Sequence, residues 1–384
     1  MGKTIGILTG GGDVPGLNPC IKAVALRAIE NGDRVIGIRR GWGGLLEYDP
    51  DDQESPDSCV LPLSSDVVRT IDRSGGTFLH SSRINPAQLP ISDVPAFLKD
   101  AYTAAGPFVD VTSHILKVLA LIKIDALVLV GAHETLEYSL RMHREGVPVV
   151  AVPQTMDNDV FGTDYCIGYS TAVSRSVEFI TQLRSAIGSH ERIGVVELFG
   201  RSSGETCLIS AYLSGVDRAI ITEVPFDPDR LGRLLADDRK KSPSQYAIMT
   251  ISEGARMAEE AADGLGRDFY AYQRAAGIGA VTAEEIKRRT GVGVIYQQLA
   301  YMMRSGPPDS LDRMVAINFG NLAVDLLQQG QSGRLVVLRE GRYGHENLCI
   351  ISEGIKRVDV ETLYDSAAYR PKVGSVLGKP MFLY

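Results

Sequence analysis

The sequence predicts an α/β protein of two doubly wound lobes, each built on a mostly parallel sheet with helices on both faces. Three observations carry this reading. The chain has 384 residues, more than one hydrophobic core usually organises. Short apolar runs alternate with amphipathic segments, the βα rhythm of parallel sheets. Glycine-rich polar loops follow those runs, at the strand ends where such sheets gather ligands.

In chain order, KTIGILTG (3–10) leads into the amphipathic NPCIKAVALRAIENG (18–32), and RVIGIRRG (34–41) follows. HILKVLALI (114–122) precedes DALVLVG (125–131), and ETLEYSLRMHREG (134–146) precedes VPVVAVP (147–153). RIGVVELFG (192–200), GETCLISAYLSG (204–215), RAIITEVPF (218–226) and YAIMTISEG (246–254) continue the alternation. The loops after the apolar runs are GGGDVPGLN (10–18), GAHET (131–135), PQTMDND (153–159), LFGRSSGE (198–205) and ISEGA (251–255). They are expected to converge on one active-site cleft between the lobes. No fixed short repeat and no low-complexity segment interrupts the pattern.

Composition narrows the function class. A hydrophobic content of 44% and a charged content of 23% describe an ordinary soluble protein, and a net charge of −7 argues against general nucleic-acid or membrane-surface binding. Phosphates then have to be held at local sites. The five cysteines are scattered without a CxxC pair, so neither a disulfide framework nor a zinc ribbon is expected. The opening MGKTIGILTGGG lacks a signal-peptide pattern, and no stretch approaches about 18 uninterrupted apolar residues. A cytoplasmic protein with no membrane partner is expected.

Each loop has a functional and a plain reading. GGGDVPGLN lies between a strand and a helix, where backbone N–H groups and the helix N-terminus favour a phosphate. It is no Walker A loop, and a dinucleotide reading using Arg39 and Arg40 competes with a simple tight turn. PQTMDND sets Asp157 and Asp159 around one residue, suited to a general base and a magnesium-side charge, or else to an Asx-rich turn. GRSSG has the form of a nucleophile elbow at Ser202, although His345 is the only later histidine; otherwise Arg201 binds an anion there. Arg83, Arg192, Arg201 and Arg304 stand near glycine loops, a pattern suited to phosphorylated small molecules.

Taken jointly, GGGDVPGLN, GGTFLHSSR, TMDNDVFGTDYCIGYSTA, SHERIGVVELFGR, ISEGA and RSGPPDSLDR, in this order, resemble the 6-phosphofructokinase family. The bacterial group with pyrophosphate-dependent and mixed-substrate members is the nearest in pattern. The likeness runs from about residue 4 to the C-terminal YRPKVGSVLGKPMFLY. It implies a donor-phosphate lobe of residues 1–168 plus 303–355 and a sugar-phosphate lobe of residues 169–302 plus 356–384. It implies Asp157 as the base for the 1-hydroxyl of fructose 6-phosphate, with Thr155 and Asp159 beside it. Gly12, Arg83, His133, Glu134, Thr135 and Gln154 fall on the donor-phosphate site. Arg192, lent by a neighbouring subunit, together with Phe199, Gly200, Arg201, Glu253, Tyr301 and Arg304, falls on the sugar-phosphate site. The implied ligands are fructose 6-phosphate or a related sugar phosphate, pyrophosphate or ATP, and Mg²⁺. The implied assembly is a homodimer or homotetramer with sites shared across subunits.

Three departures bear on the chemistry. GAHET stands where the family has GGDG[ST] or GGDD[ST], so His133 replaces a magnesium-ligating aspartate, and imidazole suits Mg²⁺ poorly. Glu134 or Asp159 is then expected to help hold the ion. PQT replaces the PKT of pyrophosphate users and the PGT of ATP users, so Gln154 supplies no cation. Ile295 stands where a second subunit-donated arginine is usual. The expectation is phosphoryl transfer from pyrophosphate, with ATP second. A sugar-phosphate-binding regulatory paralogue and a kinase for a different sugar phosphate stay open as alternatives.

Overall fold

The computed structural model describes residues 2–102, 106–258, 277–372, 374, 377 and 378. Of the C-terminal stretch YRPKVGSVLGKPMFLY, residues 373, 375, 376 and 379–384 lie outside the described residues. The chain divides into two compact units. The first comprises Met1–Thr155, Val160–Gly168 and Ser305–Gly354, and the second Met156–Asp159, Tyr169–Arg304 and Ile355–Tyr384.

The first unit opens with β1 (Thr4–Gly10), α1 (Leu17–Glu30), β2 (Arg34–Ile38), the short α2 (Trp42–Leu46) and α3 (Ser55–Cys59), and β3 (Val60–Pro62). A small antiparallel pair, β4 (Leu89–Pro90) and β5 (Phe108–Val109), precedes α4 (Thr112–Leu121), β6 (Ala126–Gly131), α5 (His133–Arg144) and β7 (Val149–Pro153). The second unit contributes α6 (Tyr169–Ser189), β8 (Ile193–Leu198), α7 (Glu205–Ser214), β9 (Arg218–Ile220), α8 (Pro228–Lys241), β10 (Ala247–Ser252), α9 (Ile278–Thr290) and β11 (Val294–Gln298). The chain returns to the first unit for α10 (Ser310–Gln328), β12 (Arg334–Arg339) and β13 (Arg342–Asn347). It ends in the second unit with α11 (Val360–Leu363) and the pair β14 (Tyr364–Asp365) and β15 (Arg370–Pro371).

The first unit's sheet has the order β13-β12-β7-β6-β1-β2-β3, parallel except for its two antiparallel edge strands β3 and β13. The second unit's sheet, β11-β8-β10-β9, is parallel throughout. The α/β class with mostly parallel sheets therefore holds in both units. Every residue of β1, β6 and β7 is buried, as is every residue of β8 and β10. That explains their near-continuous apolar sequence: helices cover both faces, so polar alternation has no place. The first core joins Leu8, Leu127, Leu129 and Val149 to Ile115 and Leu136 from the helices, and the second joins Ile193, Val195 and Met249 to Leu231 and Ile286.

Register matters most for function. Gly10 of β1 pairs with Gly131 of β6, and Gly131 with Pro153 of β7. Three adjacent strands thus end level, and the loops that follow them start from one edge of the first sheet. Among the described residues, no helix is long and apolar enough to cross a membrane.

Candidate active site

In the first unit the level strand ends bring several of the expected residues together. The Gly11 N–H donates to Ser82 O at 2.9 Å and Ser81 Oγ donates to Gly11 O at 2.8 Å, which lays the LHSSR segment along the glycine loop. Gly12 follows in that loop, and Arg83, next to Ser82 in the chain, is exposed. Gln154, almost fully buried, donates from Nε2 to Gly12 O at 2.9 Å, while its Oε1 has no hydrogen-bond partner. Thr155 N–H donates to Ile167 O at 3.1 Å, which fixes the turn out of β7.

His133, Glu134 and Thr135 form the first turn of α5, behind an Ala132 that makes no side-chain cap. Thr135 is buried and packs over both strand ends. A Cβ on Gly10 would come within 2.5 Å of its Oγ1, and one on Gly131 within 2.5 Å of its Cβ, so both positions need glycine. Glu134 is exposed. His133 Nε2 lies 3.3 Å from Glu137 Oε1, one turn along the same helix.

The second unit gathers the other expected residues at the carboxyl ends of β8, β10 and β11. Glu253 N–H donates to Leu198 O at 2.9 Å and Gly254 N–H to Gly200 O at 3.2 Å, binding the loop after β10 to the loop after β8. Thr222 Oγ1 donates to Gly200 O at 2.5 Å. Arg201 Nε then sits 3.5 Å from Glu253 Oε1, with 77% of the arginine side chain exposed. The single turn at Ala300–Met303 carries Tyr301 outward and ends at Arg304. Arg304 is buried, its guanidinium 4.3 Å from the Tyr301 ring centre and 5.9 Å from that of Phe199. The Phe199 N–H faces Met303 Sδ at 3.3 Å.

Asp157 joins this group: its Oδ2 accepts from the Arg201 N–H at 3.3 Å. Burial pushes the Asp157 carboxyl up to about 7, the charges of Asp159 and Glu253 push in the same direction, and Arg201 pulls back. Burial also raises Glu253, against the opposing pull of Arg201. A carboxyl that titrates near neutrality, next to an exposed arginine, can accept a proton from a hydroxyl and have the developing charge balanced nearby. Among the described residues, no group of three or more His, Cys, Asp or Glu has the geometry of a metal site.

Arg192 lies elsewhere. It precedes β8 and is exposed at the amino end of that strand, while Phe199–Arg201 follow the carboxyl end. The strand between them runs roughly 20 Å at the usual rise per residue. Arg192 therefore does not reach the Arg201 loop of its own chain. Ile295, paired with Gly194, sits toward the same amino end of the sheet.

Sequence reasoning missed the residues that hold the DND triplet. Asn158 is fully buried and left-handed, with φ at 54°. Its Nδ2 donates to Glu205 Oε1 at 2.7 Å, and Lys356 Nζ pairs with Glu205 Oε2 at 2.8 Å. The acid at the end of GRSSGE was the one available signal; nothing near Lys356 announces it.

The family model described as Phosphofructokinase matches residues 4–327. The chain belongs to the phosphofructokinase family. Among its relatives is the pyrophosphate–fructose 6-phosphate 1-phosphotransferase of Dictyoglomus thermophilum, 33% identical over 363 residues, covering 92% of this chain and 95% of that one. Another is the ATP-dependent 6-phosphofructokinase 3 of Streptomyces coelicolor, 34% identical over 357 residues, covering 92% and 96%. The crystal structure of a pyrophosphate-dependent phosphofructokinase from Nitrosospira multiformis shares the fold, with a TM-score of 0.78 at 16% identity and coverage of 97% and 89%. Users of both donors thus stand at similar identity to this phosphofructokinase.

Proposed function

We propose that this phosphofructokinase transfers a phosphoryl group from pyrophosphate to the 1-hydroxyl of fructose 6-phosphate, giving fructose 1,6-bisphosphate. The observation that carries the reading is Asp157: a carboxyl raised to about 7, tied to the Arg201 loop and close to Glu253. Asp157 takes the hydroxyl proton as the oxygen attacks. Phosphoryl transfer depends on positioning and charge neutralisation more than on covalent chemistry, and the arginines supply both. Arg201 and Arg304 hold the sugar phosphate, with Phe199, Gly200, Glu253 and Tyr301 shaping its site. Gly12, Arg83, Thr135 and Gln154 line the donor-phosphate side, and Thr155 and Asp159 flank the base. The first unit is the donor lobe and the second the sugar lobe.

Mg²⁺ fits the residues present. Asp157 and Asp159 are near enough for the charge of one to raise the other, a repulsion that a cation would relieve. Mg²⁺ commonly takes one or two carboxylates and fills its remaining positions with phosphate oxygens and water. Asp159 is the proposed protein contribution. The ion would supply neutralisation of phosphate charge.

Glu134 supports pyrophosphate, because its exposed carboxylate stands beside the donor loops and disfavours a nucleotide extending past them. ATP is the second reading, supported by Gln154, whose amide is spent on Gly12 O and brings no positive charge. The position of Arg192, at the far end of β8, supports a homodimer or homotetramer in which a neighbouring copy lends that arginine. The test offers purified protein Mg²⁺ and fructose 6-phosphate with pyrophosphate or ATP separately. Turnover with pyrophosphate that disappears in Asp157→Ala is the expected result. Turnover of another sugar phosphate alone, or of none until His133→Asp is introduced, would overturn the assignment.

A further inference from the structure

We propose that Glu205 is a positioning residue for the reaction: with Lys356 it clamps the buried Asn158, and so sets the aim of Asp157 and Asp159 on either side. The proposal rests on the reading of Asp157 as the base. Asn158 has a left-handed backbone, which a residue with a side chain adopts only when its surroundings impose it; asparagine tolerates it best. What imposes it is the start of α7 and the segment before α11. Glu205, the first residue of α7, accepts from Asn158 Nδ2 at 2.7 Å through one oxygen and pairs with Lys356 Nζ at 2.8 Å through the other. Thr206, next in the helix, donates from Oγ1 to Met156 O at 2.6 Å, and the Lys356 N–H donates to Asp159 O at 3.0 Å.

Met156, Asn158 and Asp159 are thus each held by a group outside the loop, and Asp157 by the Arg201 N–H. The support is itself braced. Glu223 accepts from the Gly204 N–H at 2.9 Å and the Val358 N–H at 3.0 Å, joining the start of α7 to the residues around Lys356.

The ion pair is a poor device for stability. Its side chains are only 12% and 17% exposed, and desolvating two charges offsets much of their attraction. What it provides is geometry. A carboxylate with one oxygen committed to lysine presents the other in a fixed direction, and the asparagine amide follows it. If Asn158 left its left-handed state, the peptides on both sides would rotate and Asp157 and Asp159 would diverge from their present directions.

The experiment compares Glu205→Ala, Glu205→Gln and Asn158→Gly in the full chain. Glutamine keeps an acceptor for Asn158; glycine keeps the backbone conformation but removes the amide. Misplacement of a catalytic group by about 1 Å costs on the order of 100-fold in rate. Glu205→Ala and Asn158→Gly should therefore lower kcat by roughly 10- to 100-fold with KM for fructose 6-phosphate within about threefold, while Glu205→Gln stays within about fivefold of wild type. Hydrogen exchange gives a readout independent of turnover. In Glu205→Ala the peptide over residues 154–160 should exchange at least about tenfold faster while β8 and β10 keep wild-type protection. A kcat within twofold of wild type in both loss variants, or exchange that rises equally across the second unit, would overturn the clamp. If wild type turns over neither donor, the proposed function fails, and the exchange comparison still decides the clamp by whether the loosening is confined to the loop.

Discussion

The backbone N–H of Arg201 donates to Asp157 Oδ2 at 3.3 Å, so one short loop both steadies this carboxyl and presents an exposed arginine beside it. This sets a pH dependence. Asp157 titrates near 7 because it is buried and faces Asp159 and Glu253. As the proposed base it must be ionised, so kcat/KM should rise with pH through about 7 and level off above, and Asp157→Asn should remove the activity. Bound Mg²⁺ should shift the midpoint of kcat downward by favouring the carboxylate. Initial rates from pH 5.5 to 9 at limiting and saturating substrate give both midpoints.

The same carboxyl carries a stability signature of opposite sense. Its folded value lies above its unfolded one, so the native state binds more protons between about 4 and 7 and stability falls as pH rises through that window. Asp157→Asn has no charge to bury. Its Tm should exceed that of wild type at pH 8, and the difference should shrink toward pH 4.5. Differential scanning calorimetry at the two pH values checks the sign.

Arg304 is buried against Tyr301 and Phe199, which fixes the plane of its guanidinium. Lysine cannot reproduce a planar fork stacked on a ring. Arg304→Lys should raise KM for the sugar phosphate by roughly 10- to 100-fold, the worth of one charge-assisted hydrogen bond at about 1.5–3 kcal/mol. Tyr301 is 65% exposed, so Tyr301→Ala should cost about 1 kcal/mol or less of stability while still raising KM. Steady-state kinetics beside urea unfolding separates the two effects.

A Cβ on Gly254 would stand 2.1 Å from Arg201 O, backbone that cannot move without pulling the loop apart. Gly254→Ala should therefore destabilise by about 1–3 kcal/mol and weaken sugar-phosphate binding, since it parts Arg201 from Glu253. Alanine at Gly344, whose backbone is not left-handed and where nothing lies within 4 Å of the added atom, has no such clash and should leave binding unchanged. Calorimetric titration with fructose 6-phosphate compares the pair.

The first-unit loops were legible in sequence because parallel strands advertise themselves as apolar runs, and their ends collect the polar residues. The level ending of Gly10, Gly131 and Pro153 then follows from pairing. The strand β11 was not legible: VIYQQ is a half-exposed edge with no apolar run to mark it. Arg304, just after that strand, stood out by its place near a glycine loop, whereas Tyr301, whose ring it faces, entered only through family resemblance. The DND triplet admitted a turn reading and a carboxylate reading, and the structure makes them compatible, since the left-handed turn at Asn158 separates the two aspartates. Glu205 and Lys356 were invisible because a side-chain ion pair between distant segments leaves no periodic trace.

The α5 turn supplies the final expectation. His133 and Glu134 are its first two residues, where the helix dipole favours negative charge. His133 is engaged along the helix with Glu137 and offers a nitrogen where Mg²⁺ prefers oxygen. His133→Asp adds a hard ligand at a favourable helix end, so the Mg²⁺ concentration for half-maximal rate should fall by about tenfold, roughly 1.4 kcal/mol. Glu134→Gly removes the exposed carboxylate and should raise the ATP-to-pyrophosphate ratio of kcat/KM by about tenfold or more. The helix should lose about 0.3–1 kcal/mol with it, a small drop in Tm. If Glu134→Gly lowers both donors equally, the residue acts on the metal alone and the donor preference must lie with Gln154.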